Sequence, residues 1–318
     1  MTWLVTGGAG YIGLHVVRAL REAGDDVLVL DDLSNGRPEL VEAPLVPGDV
    51  GDAPLLDRLF RENEVRGVVH LAARKRVGES VADPLLYYRE NVTKLVPLLE
   101  AMCRAGVGTM VFSSSAAVYG SPDVELVTES TPTAPLSPYG ETKLVGEWLV
   151  RSVAAAHGLR FALLRYFNVA GAGAPELADA GVSNLIPMVF ERIAGGERPR
   201  LFGDDYPTPD GSCIRDFIHV SDVADAHVAA LRHLDRGGEN LLLNVGRGDG
   251  ASVRQVLDVV ADVTGLPTDP EVLPRRPGDP PRVVASDDAI RRVLGWEPRH
   301  DLTSMVRSAW AGWGAGRP

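Results

Sequence analysis

Tyr139 and Lys143 form a Tyr-x-x-x-Lys pair at the start of a predicted helix over residues 139–157. Residues four apart lie on one face of a helix, so the phenol and the ammonium group are expected to be neighbours. A phenol with a pKa of about 10 is a weak base at neutral pH, and a nearby positive charge favours the phenolate. The pair predicts a tuned acid–base; the alternative is a tyrosine that only caps the helix.

Three serines, Ser113 to Ser115, close the predicted strand before this helix. Ligands of doubly wound sheets bind at the carboxyl ends of the strands. We therefore expect Ser115 to hydrogen-bond the same substrate hydroxyl as Tyr139. Without the tyrosine–lysine pair, a simple polar strand end would be the better interpretation.

Gly7, Gly10 and Gly13 form a Gly-x-x-Gly-x-x-Gly turn between a predicted strand over residues 3–6 and a predicted helix over residues 11–23. The first glycine permits a tight turn, the second lets the backbone approach a pyrophosphate, and the third lets helix and strand pack closely. Phosphates bind at such a helix N-terminus because its N–H groups and dipole favour anions. A glycine turn alone is weak evidence, but its strand–turn–helix setting predicts a dinucleotide site.

Asp31 and Asp32 end the next predicted strand, roughly 20 residues beyond the glycine turn, where dinucleotide-binding units carry an acidic residue. A carboxylate at this place accepts hydrogen bonds from the adenosine ribose and repels a 2′-phosphate. The two residues therefore predict NAD rather than NADP as the cofactor.

Strands and helices alternate through the first half of the chain. This alternation predicts an α/β fold with a doubly wound parallel sheet of the Rossmann type. Apolar strands such as residues 67–71 are typical of a sheet that helices cover on both faces. Further strands are predicted at 27–30, 65–71, 109–113, 161–166 and 241–245, further helices at 93–104, 139–157 and 185–194, and a strand followed by a helix at 217–234.

The composition changes after Asn168, because residues 171–214 are rich in Gly, Pro, Asp and Ala. Two helical patterns, separated by the proline-rich stretch 273–282, are expected beyond residue 248. We expect an NAD-binding domain over residues 1–169 and about 215–247. A smaller, discontinuous α/β domain for the substrate is expected over about 170–214 and 248–318.

The formal net charge is −11 and the sequence pI is near 5.1, which opposes binding to nucleic acid or to an anionic membrane. No apolar run approaches the ~18 residues of a membrane span. The first strand is predicted to begin at Thr2, which leaves no room for a signal peptide. The distant cysteines Cys103 and Cys213 fit a reducing compartment and give no metal-ligand cluster. We therefore expect a cytoplasmic protein without a metal site.

Four motifs resemble, in the same order, those of the extended short-chain dehydrogenase/reductase family: residues 7–13, 113–120, 139–143 and 165–168. Residues 75–80 (KRVGES) and 206–220 (YPTPDGSCIRDFIHV) are similar, more specifically, to the sugar-nucleotide 4-epimerases of that family. The similarity covers nearly the whole chain, and many extended members that share the glycine turn lack this central loop.

The resemblance implies an NAD-dependent epimerisation at C4 that interconverts UDP-galactose and UDP-glucose through a transient 4-keto sugar. The family's tyrosine takes the proton of the C4 hydroxyl while hydride passes from C4 to NAD, and the keto sugar rotates before hydride returns. By this match Tyr139 is the acid–base and Ser115 supports the hydroxyl. Lys143 tunes the tyrosine and holds the nicotinamide ribose.

The resemblance also implies which residues contact the two ligands. It assigns NAD contacts to Gly7, Gly10, Tyr11, Ile12, Gly13, Asp31, Asp32, Asn35, Asp49, Val50, Leu71, Ala72, Ala73, Lys75, Asn91, Ser113, Tyr139, Lys143 and Tyr166. It assigns UDP-sugar contacts to Lys75, Ser115, Tyr139, Phe167, Asn168, Asn184, Leu185, Arg200, Leu201, Phe202, Arg215, Phe217, Arg276 and Asp279.

A diphosphate needs positive partners, and arginine offers it a bidentate fork. Arg215 and Arg276 lie in segments that match the family and are the candidates, whereas Arg291 and Arg292 are expected to be solvated surface charges. The match places Asp279 at the ribose and residues 200–202 along the uracil.

Rival functions remain open. A sugar-nucleotide 4,6-dehydratase needs extra acidic groups, which the family places just after the serine strand; this sequence has Ala116 and Ala117 there, which argues against a dehydratase and a decarboxylase. An epimerase of UDP-N-acetylhexosamine or UDP-glucuronate is a second alternative, because Val283 matches the position that gates the sugar pocket and is intermediate in size. A dinucleotide-sensing protein without turnover is the third alternative. Such proteins typically lose the tyrosine or the lysine, whereas Tyr139 and Lys143 are both present here.

The predicted helices over residues 91–104 and 141–157 carry wide apolar faces. These faces pack on the protein's own sheet in the simplest interpretation. Members of the resembling family often pair the same helices, which implies a homodimer.

Overall fold

The fold is described from a computed structural model, which covers residues 1–276 and 278–314. Its strands are β1 (Thr2–Thr6), β2 (Asp26–Asp31), β3 (Leu45–Pro47), β4 (Val65–His70), β5 (Thr109–Ser115), β6 (Arg160–Tyr166), β7 (Asn168–Ala170), β8 (Arg200–Phe202), β9 (Ile214–His219), β10 (Leu241–Val245), β11 (Gly250–Ser252), β12 (Glu271–Leu273) and β13 (Arg282–Val283). Its α-helices are α1 (Tyr11–Glu22), α2 (Ala53–Glu62), α3 (Val77–Ala82), α4 (Pro84–Tyr88), α5 (Leu95–Ala105), α6 (Pro138–His157), α7 (Leu185–Ala194), α8 (Val220–Asp235), α9 (Val253–Thr264), α10 (Asp288–Leu294) and α11 (Leu302–Trp313).

The main sheet has seven strands in the order β10-β6-β5-β4-β1-β2-β3. Strand β1 pairs in parallel with β2 and β4, and the pairs β2–β3 and β4–β5 are also parallel. The strand order reverses direction at β1, which is the doubly wound arrangement. The predicted α/β fold class is therefore confirmed.

The central strands are apolar because helices cover them. Trp3, Leu4 and Val5 of β1 are all fully buried. Gly67 of β4 leaves room for the Trp3 indole, since a Cβ atom at Gly67 would lie 2.2 Å from that ring. Strand β1 thus lies in the interior of the sheet, between β4 and β2, and its C-terminal end leads into the glycine turn.

The chain forms two compact units. The first comprises residues 1–120, 133–165 and 224–243, and the second comprises residues 121–132, 166–223, 244–276 and 278–314. The first unit has an apolar core around residues such as Leu4, Leu30, Val68, Leu98 and Leu163. The second has its own core around residues such as Ile186, Phe190, Phe217, Val256 and Val306.

A smaller sheet organises the second unit. Strand β9 pairs antiparallel with β11 and in parallel with both β7 and β13. Strands β8 and β12 form a separate parallel pair. These short strands carry six of the fourteen residues that the sequence assigns to the UDP-sugar: Asn168, Arg200, Leu201, Phe202, Arg215 and Phe217.

The helix predicted at 185–194 and the strand predicted at 241–245 have the expected bounds. The expectation of two helices beyond residue 248 is wrong, because α9, α10 and α11 all lie there. Helix α10 is only seven residues long and is followed by its C-cap residue Gly295, which has a φ of 63°. Such a short, charge-rich helix has too little apolar periodicity to be recognised as an element of its own.

Among the described residues, no helix is both long enough and apolar enough to cross a membrane.

Candidate active site

Helix α6 begins so that Tyr139 lies in its first turn. The Ser137 side chain caps the helix by accepting a hydrogen bond of 3.2 Å from the Gly140 N–H, and Pro138 occupies the first helical position. Proline is favoured there because its fixed φ suits the helix and its missing N–H is not needed. Local sequence therefore fixes the helix start that orients the tyrosine.

Tyr139, Lys143 and Ser115 come together at the C-terminal end of β5. The Ser115 side chain hydrogen-bonds the Tyr139 phenol. The Nζ of Lys143 donates a 2.8 Å hydrogen bond to the carbonyl oxygen of Ser113 and lies 5.4 Å from the centre of the Phe112 ring. The predicted catalytic residues are thus brought together on one helix and the strand beside it.

Burial shifts the pKa of Tyr139 and that of Lys143 in the direction that favours the uncharged form of each group. It raises the pKa of Tyr139, and the hydrogen bond from Ser115 acts in the opposite direction. It lowers the pKa of Lys143 to about 8, so the lysine still carries its proton at neutral pH. In the polypeptide alone, burial therefore favours the protonated phenol, whereas a nearby positive charge favours the phenolate.

Tyr87 supports the Tyr139 ring, and sequence reasoning missed it. The two rings meet edge to face with centroids 6.5 Å apart. The fully buried Tyr87 hydroxyl donates to Glu79 Oε2 at 2.8 Å and accepts from the Arg76 N–H at 2.8 Å. No local motif marks this tyrosine, because its role arises from the packing of α4 against α6.

The glycine turn leaves no space for side chains. Gly7 has a φ of 73°, and a Cβ atom there would lie 2.6 Å from the Ala72 backbone nitrogen. A Cβ atom at Gly13 would lie 2.1 Å from the Gly7 carbonyl oxygen. Gly10 is the N-cap of α1, and within the described chain no side chain caps this helix end and no acid occupies its first turn. The cradle therefore fits a pyrophosphate.

Asp31 and Asp32 differ in environment. Asp31 is 8% exposed, and its carboxylate accepts 2.9 Å hydrogen bonds from the N–H groups of Ala9 and Leu33. Burial is the main reason that its pKa is raised. Asp32 is exposed, and it accepts hydrogen bonds from the Ser34 backbone and hydroxyl. Asp31 is thus the carboxylate tied to the glycine turn.

Asn91 holds the segment that follows β4. Its Oδ1 accepts from the Arg74 N–H at 2.8 Å, and its Nδ2 donates to the Arg74 carbonyl at 3.0 Å and to Thr142 Oγ1 at 3.1 Å. Lys75 follows Arg74, and its ammonium group lies 5.7 Å from the Tyr11 ring centre. Asn91 therefore fixes the backbone that carries Ala73 and Lys75.

The remaining residues predicted to contact NAD are spread over the strand ends of the first unit. Asp49 accepts from Lys94 Nζ at 2.6 Å and from the Gly51 N–H at 2.7 Å. Only Tyr166 belongs to the second unit. The others occupy the first turn of α1 (Tyr11, Ile12), the loop after β2 (Asn35), the loop after β3 (Val50), the loop after β4 (Leu71, Ala72) and β5 (Ser113).

Arg215 and Asp279 form an ion pair in the second unit. Arg215 lies on β9, and its guanidinium also donates to the Ile214 carbonyl at 2.8 Å. The Cys213 thiol lies 3.9 Å from the other Asp279 oxygen. Val283 pairs with Arg215 in the β9–β13 register and is 9% exposed. The structure thus brings Arg215, Asp279 and Val283 together at the β9–β13 pair of the small sheet.

Arg276 stacks on Phe202, with its guanidinium carbon 3.8 Å from the ring centre. Arg200 and Leu201 precede Phe202 on β8. Asn184 is the N-cap residue of α7, followed by Leu185, and its Nδ2 donates to Asp179 at 3.1 Å. The last three predicted contacts are Phe167 before β7, Asn168 on β7 and Phe217 on β9.

Asp216 anchors the strand that carries Arg215. Its carboxylate is fully buried and accepts from the N–H groups of Arg247, Gly248 and Ala285 at 2.9, 3.0 and 3.1 Å. Burial raises its pKa to about 7. One acid thereby ties β9 to the loop after β10 and to the residues that follow β13.

The profile of the NAD dependent epimerase/dehydratase family matches residues 3–246. This chain belongs to that family. It is 52% identical over 313 residues to a UDP-glucose 4-epimerase of Azospirillum brasilense, with 96% of this chain and 90% of the relative covered. It is 47% identical over 317 residues to a UDP-glucose 4-epimerase of Corynebacterium glutamicum, with 98% and 95% covered.

A solved structure of the family is also similar over nearly its full length. The UDP-glucose-4-epimerase of Stenotrophomonas maltophila, crystallised with bound NAD and formylated UDP-arabinopyranose, superposes with a TM-score of 0.95 and is 42% identical. The match covers 99% of this chain and 98% of the crystallised one. Within the described residues, no group of three or more His, Cys, Asp or Glu side chains is arranged to hold a metal ion.

Proposed function

We propose that this chain is an NAD-dependent 4-epimerase that interconverts UDP-galactose and UDP-glucose through a transient 4-keto sugar. The observation that carries the proposal is the meeting of Tyr139, Ser115 and Lys143 at the end of β5. The glycine cradle lies at the end of β1 in the same sheet. Family membership supports the same conclusion.

Bound NAD supplies the hydride acceptor and donor for C4 of the sugar. Gly7, Gly10 and Gly13 would hold its pyrophosphate at the N-terminus of α1, and a side chain at Gly7 or Gly13 would collide with the backbone. Asp31 accepts hydrogen bonds from the hydroxyls of the adenosine ribose. It uses the oxygen lone pairs that are not already bonded to the N–H groups of Ala9 and Leu33. The same negative charge disfavours a 2′-phosphate and selects NAD over NADP.

Tyr139 removes the proton from the C4 hydroxyl and later returns it. Burial keeps its pKa high in the polypeptide alone, whereas the positive charges of Lys143 and of the nicotinamide ring favour the phenolate. Ser115 hydrogen-bonds the phenol and supports the same sugar hydroxyl. The three groups therefore move one proton from and to the C4 oxygen of the sugar, and they act in the same way on either epimer.

The sugar must turn within the site while the nucleotide stays fixed. We assign the diphosphate to Arg215 and Arg276, with Asn184 and Leu185 as additional contacts, and the uridine to Asp279 and residues 200–202. The Arg276–Phe202 stack presents a cation beside an aromatic face, which suits a phosphate next to a base.

A second candidate substrate is a UDP-N-acetylhexosamine. Val283 is adjacent to Arg215 across the β9–β13 pair and is almost completely buried. Its intermediate size leaves the larger sugar as an alternative, with UDP-glucuronate after it. Ala116 and Ala117 begin the 3-10 turn after β5 and offer no acid, which disfavours a dehydratase.

We also propose a cytoplasmic homodimer. Trp148 of α6 is 57% exposed and Val96 of α5 is 39% exposed, which suits a face that a second copy covers. Cys103 and Cys213 are free thiols, as expected in a reducing compartment. Light scattering should give the mass of two chains; a single-chain mass at high concentration would contradict the dimer.

The deciding experiment supplies purified protein with UDP-galactose and no added NAD. Proton NMR of the anomeric signals should show UDP-glucose with the parent chain and near silence with Tyr139→Phe. If the parent stays silent even after NAD is added, the galactose assignment fails. UDP-N-acetylglucosamine and UDP-glucuronate are then tested, and silence with all three would favour a dinucleotide-sensing protein.

A further inference from the structure

Three consecutive serines of β5 contact three residues of α6 that are spaced four apart. Residues four apart share one face of a helix, so a single face of α6 is attached to a single strand end. The contacts are Ser115 side chain to Tyr139 phenol, Ser113 carbonyl to Lys143 Nζ, and Ser114 hydroxyl to Glu147 carboxylate. The first two belong to the proposed acid–base group, and the third has no role in it so far.

Glu147 is held from two strands at once. It is 1% exposed, and its oxygens accept from Arg165 Nε at 2.8 Å and from Arg165 Nη2 at 2.6 Å. Arg165 lies on β6, is 3% exposed, and has its guanidinium carbon 4.7 Å from the Tyr119 ring centre. A bidentate arginine–carboxylate pair fixes both distance and orientation. Because β5 and β6 are neighbours in the sheet, Glu147 is pinned to both.

Helix α6 also lies unusually close to β5. A Cβ atom at Gly146 would lie 2.4 Å from the Phe112 ring, so only glycine permits this approach. Glu147 follows directly and is about 12 Å along the helix axis from Tyr139, at 1.5 Å per residue. A helix fixed at this point cannot slide along the strand or rotate without moving the phenol and the ammonium group.

We propose that Glu147 and Arg165 are positioning residues that set the register of α6 against β5, and with it the placement of Tyr139 and Lys143 beside the serines. This inference rests on the proposed function, since it concerns the acid–base group of that reaction. The buried pair acts only through other residues.

The competing interpretation is that the pair serves stability alone. Removing one partner of a buried ion pair is strongly destabilising because the other charge stays buried and unpaired, whereas apolar residues in place of both are often tolerated. A double variant, Glu147→Met with Arg165→Met, therefore separates the two roles. The matched control is Asp25→Met with Arg66→Met, which removes another partly buried ion pair of the first unit; the second partners of these residues, Arg232 and Asp235, are partly exposed to solvent.

The experiment measures four quantities for both double variants: melting temperature, kcat, KM for UDP-galactose, and the pH dependence of kcat. For the Glu147/Arg165 variant we expect kcat to fall by about tenfold to a hundredfold, as displacements near 1 Å have that effect. KM should change little, and the rising limb of the pH profile should move to higher pH because Lys143 supports the phenolate less well. The Asp25/Arg66 variant should keep the parental kcat and pH profile.

A folded Glu147/Arg165 variant with parental kcat and pH profile would overturn the proposal. If that variant does not fold, Ser114→Ala and Arg165→Lys repeat the test, since each removes part of the network and should shift the profile in the same direction. Unchanged kinetics in both would also refute the proposal.

Ultraviolet titration of the Tyr139 phenolate, with Tyr139→Phe as background, needs no substrate. It therefore tests positioning even if the parent chain fails to epimerise UDP-galactose, which would refute the proposed function instead.

Discussion

The Nζ of Lys143 lies 2.8 Å from the carbonyl oxygen of Ser113, at the end of β5. The lysine is 4% exposed, and burial lowers its pKa to about 8. A surface lysine would be mobile and would share its charge with water, whereas this one holds a positive charge at a fixed place one helical turn from Tyr139. The charge is present at neutral pH and is lost as the pH rises through about 8.

The first prediction concerns Lys143→Met. Without the ammonium group the phenolate of Tyr139 is less favoured, so its pKa rises and the rising limb of the kcat profile moves to higher pH. We expect kcat at neutral pH to fall by about 10²–10⁴-fold, the usual contribution of a positioned acid–base system. Parental kcat should also decline above about pH 8 as Lys143 loses its proton, and this decline should be missing in the variant. Equal profiles for the two proteins would contradict the role of the lysine.

The second prediction separates Asp31 from Asp32. Asp31→Asn removes the buried charge tied to the glycine turn, so the affinity for NAD should fall by about tenfold to a hundredfold, as for hydrogen bonds to charged groups. The preference for NAD over NADP should also fall in this variant. Asp32→Asn is the control, because its exposed carboxylate bonds Ser34. Calorimetric titration with NAD and NADP measures both; equal losses in the two variants would show that position 31 is not special.

The third prediction concerns the glycine cradle. Gly13→Ala places a Cβ atom against the Gly7 carbonyl and should push α1 away from β1, lowering the free energy of unfolding by about 1–3 kcal/mol and weakening NAD binding. Gly108→Ala is the control, since no described atom lies within 4 Å of its Cβ position. Chemical denaturation and NAD titration measure the two effects. A Gly13→Ala protein as stable as the control would contradict the crowding.

Much of the architecture is encoded locally and was predictable from the sequence. The glycine turn, the acid at the end of β2, and the Tyr139–Lys143 spacing each lie within a few residues of the element that positions them. Gly8 and Gly146 show the same close packing only in three dimensions, against Val29 and Phe112. Sequence reasoning therefore found the groups that do chemistry more readily than the groups that hold them.

Glu147 and Arg165 show why the rest was missed. A glutamate in a helix and an arginine 18 residues later in a strand normally face solvent, and only the packing of α6 on β5 and β6 brings them together. Two signals were present: Glu147 continues the four-residue spacing of Tyr139 and Lys143, and Arg165 interrupts an otherwise apolar strand. Charges on a face expected to be buried indicate a paired network.

The last prediction tests the arginine assigned to the diphosphate. Arg215 is half-buried and already paired with Asp279, so it is preorganised on β9 rather than free to move. Arg215→Ala should weaken UDP binding and raise KM for UDP-galactose by about tenfold to a hundredfold, because a charge-assisted contact is lost.

Arg291→Ala is the matched control: that side chain is 43% exposed and pairs with Asp287 and Glu297 at the surface, so its loss should leave KM unchanged. Titration of both variants with UDP gives the affinities directly. Because Arg215 is assigned to the diphosphate and not to the proton-transfer group, kcat at saturating substrate should fall less than kcat/KM. A fall in kcat with unchanged KM would place Arg215 in the chemical step instead.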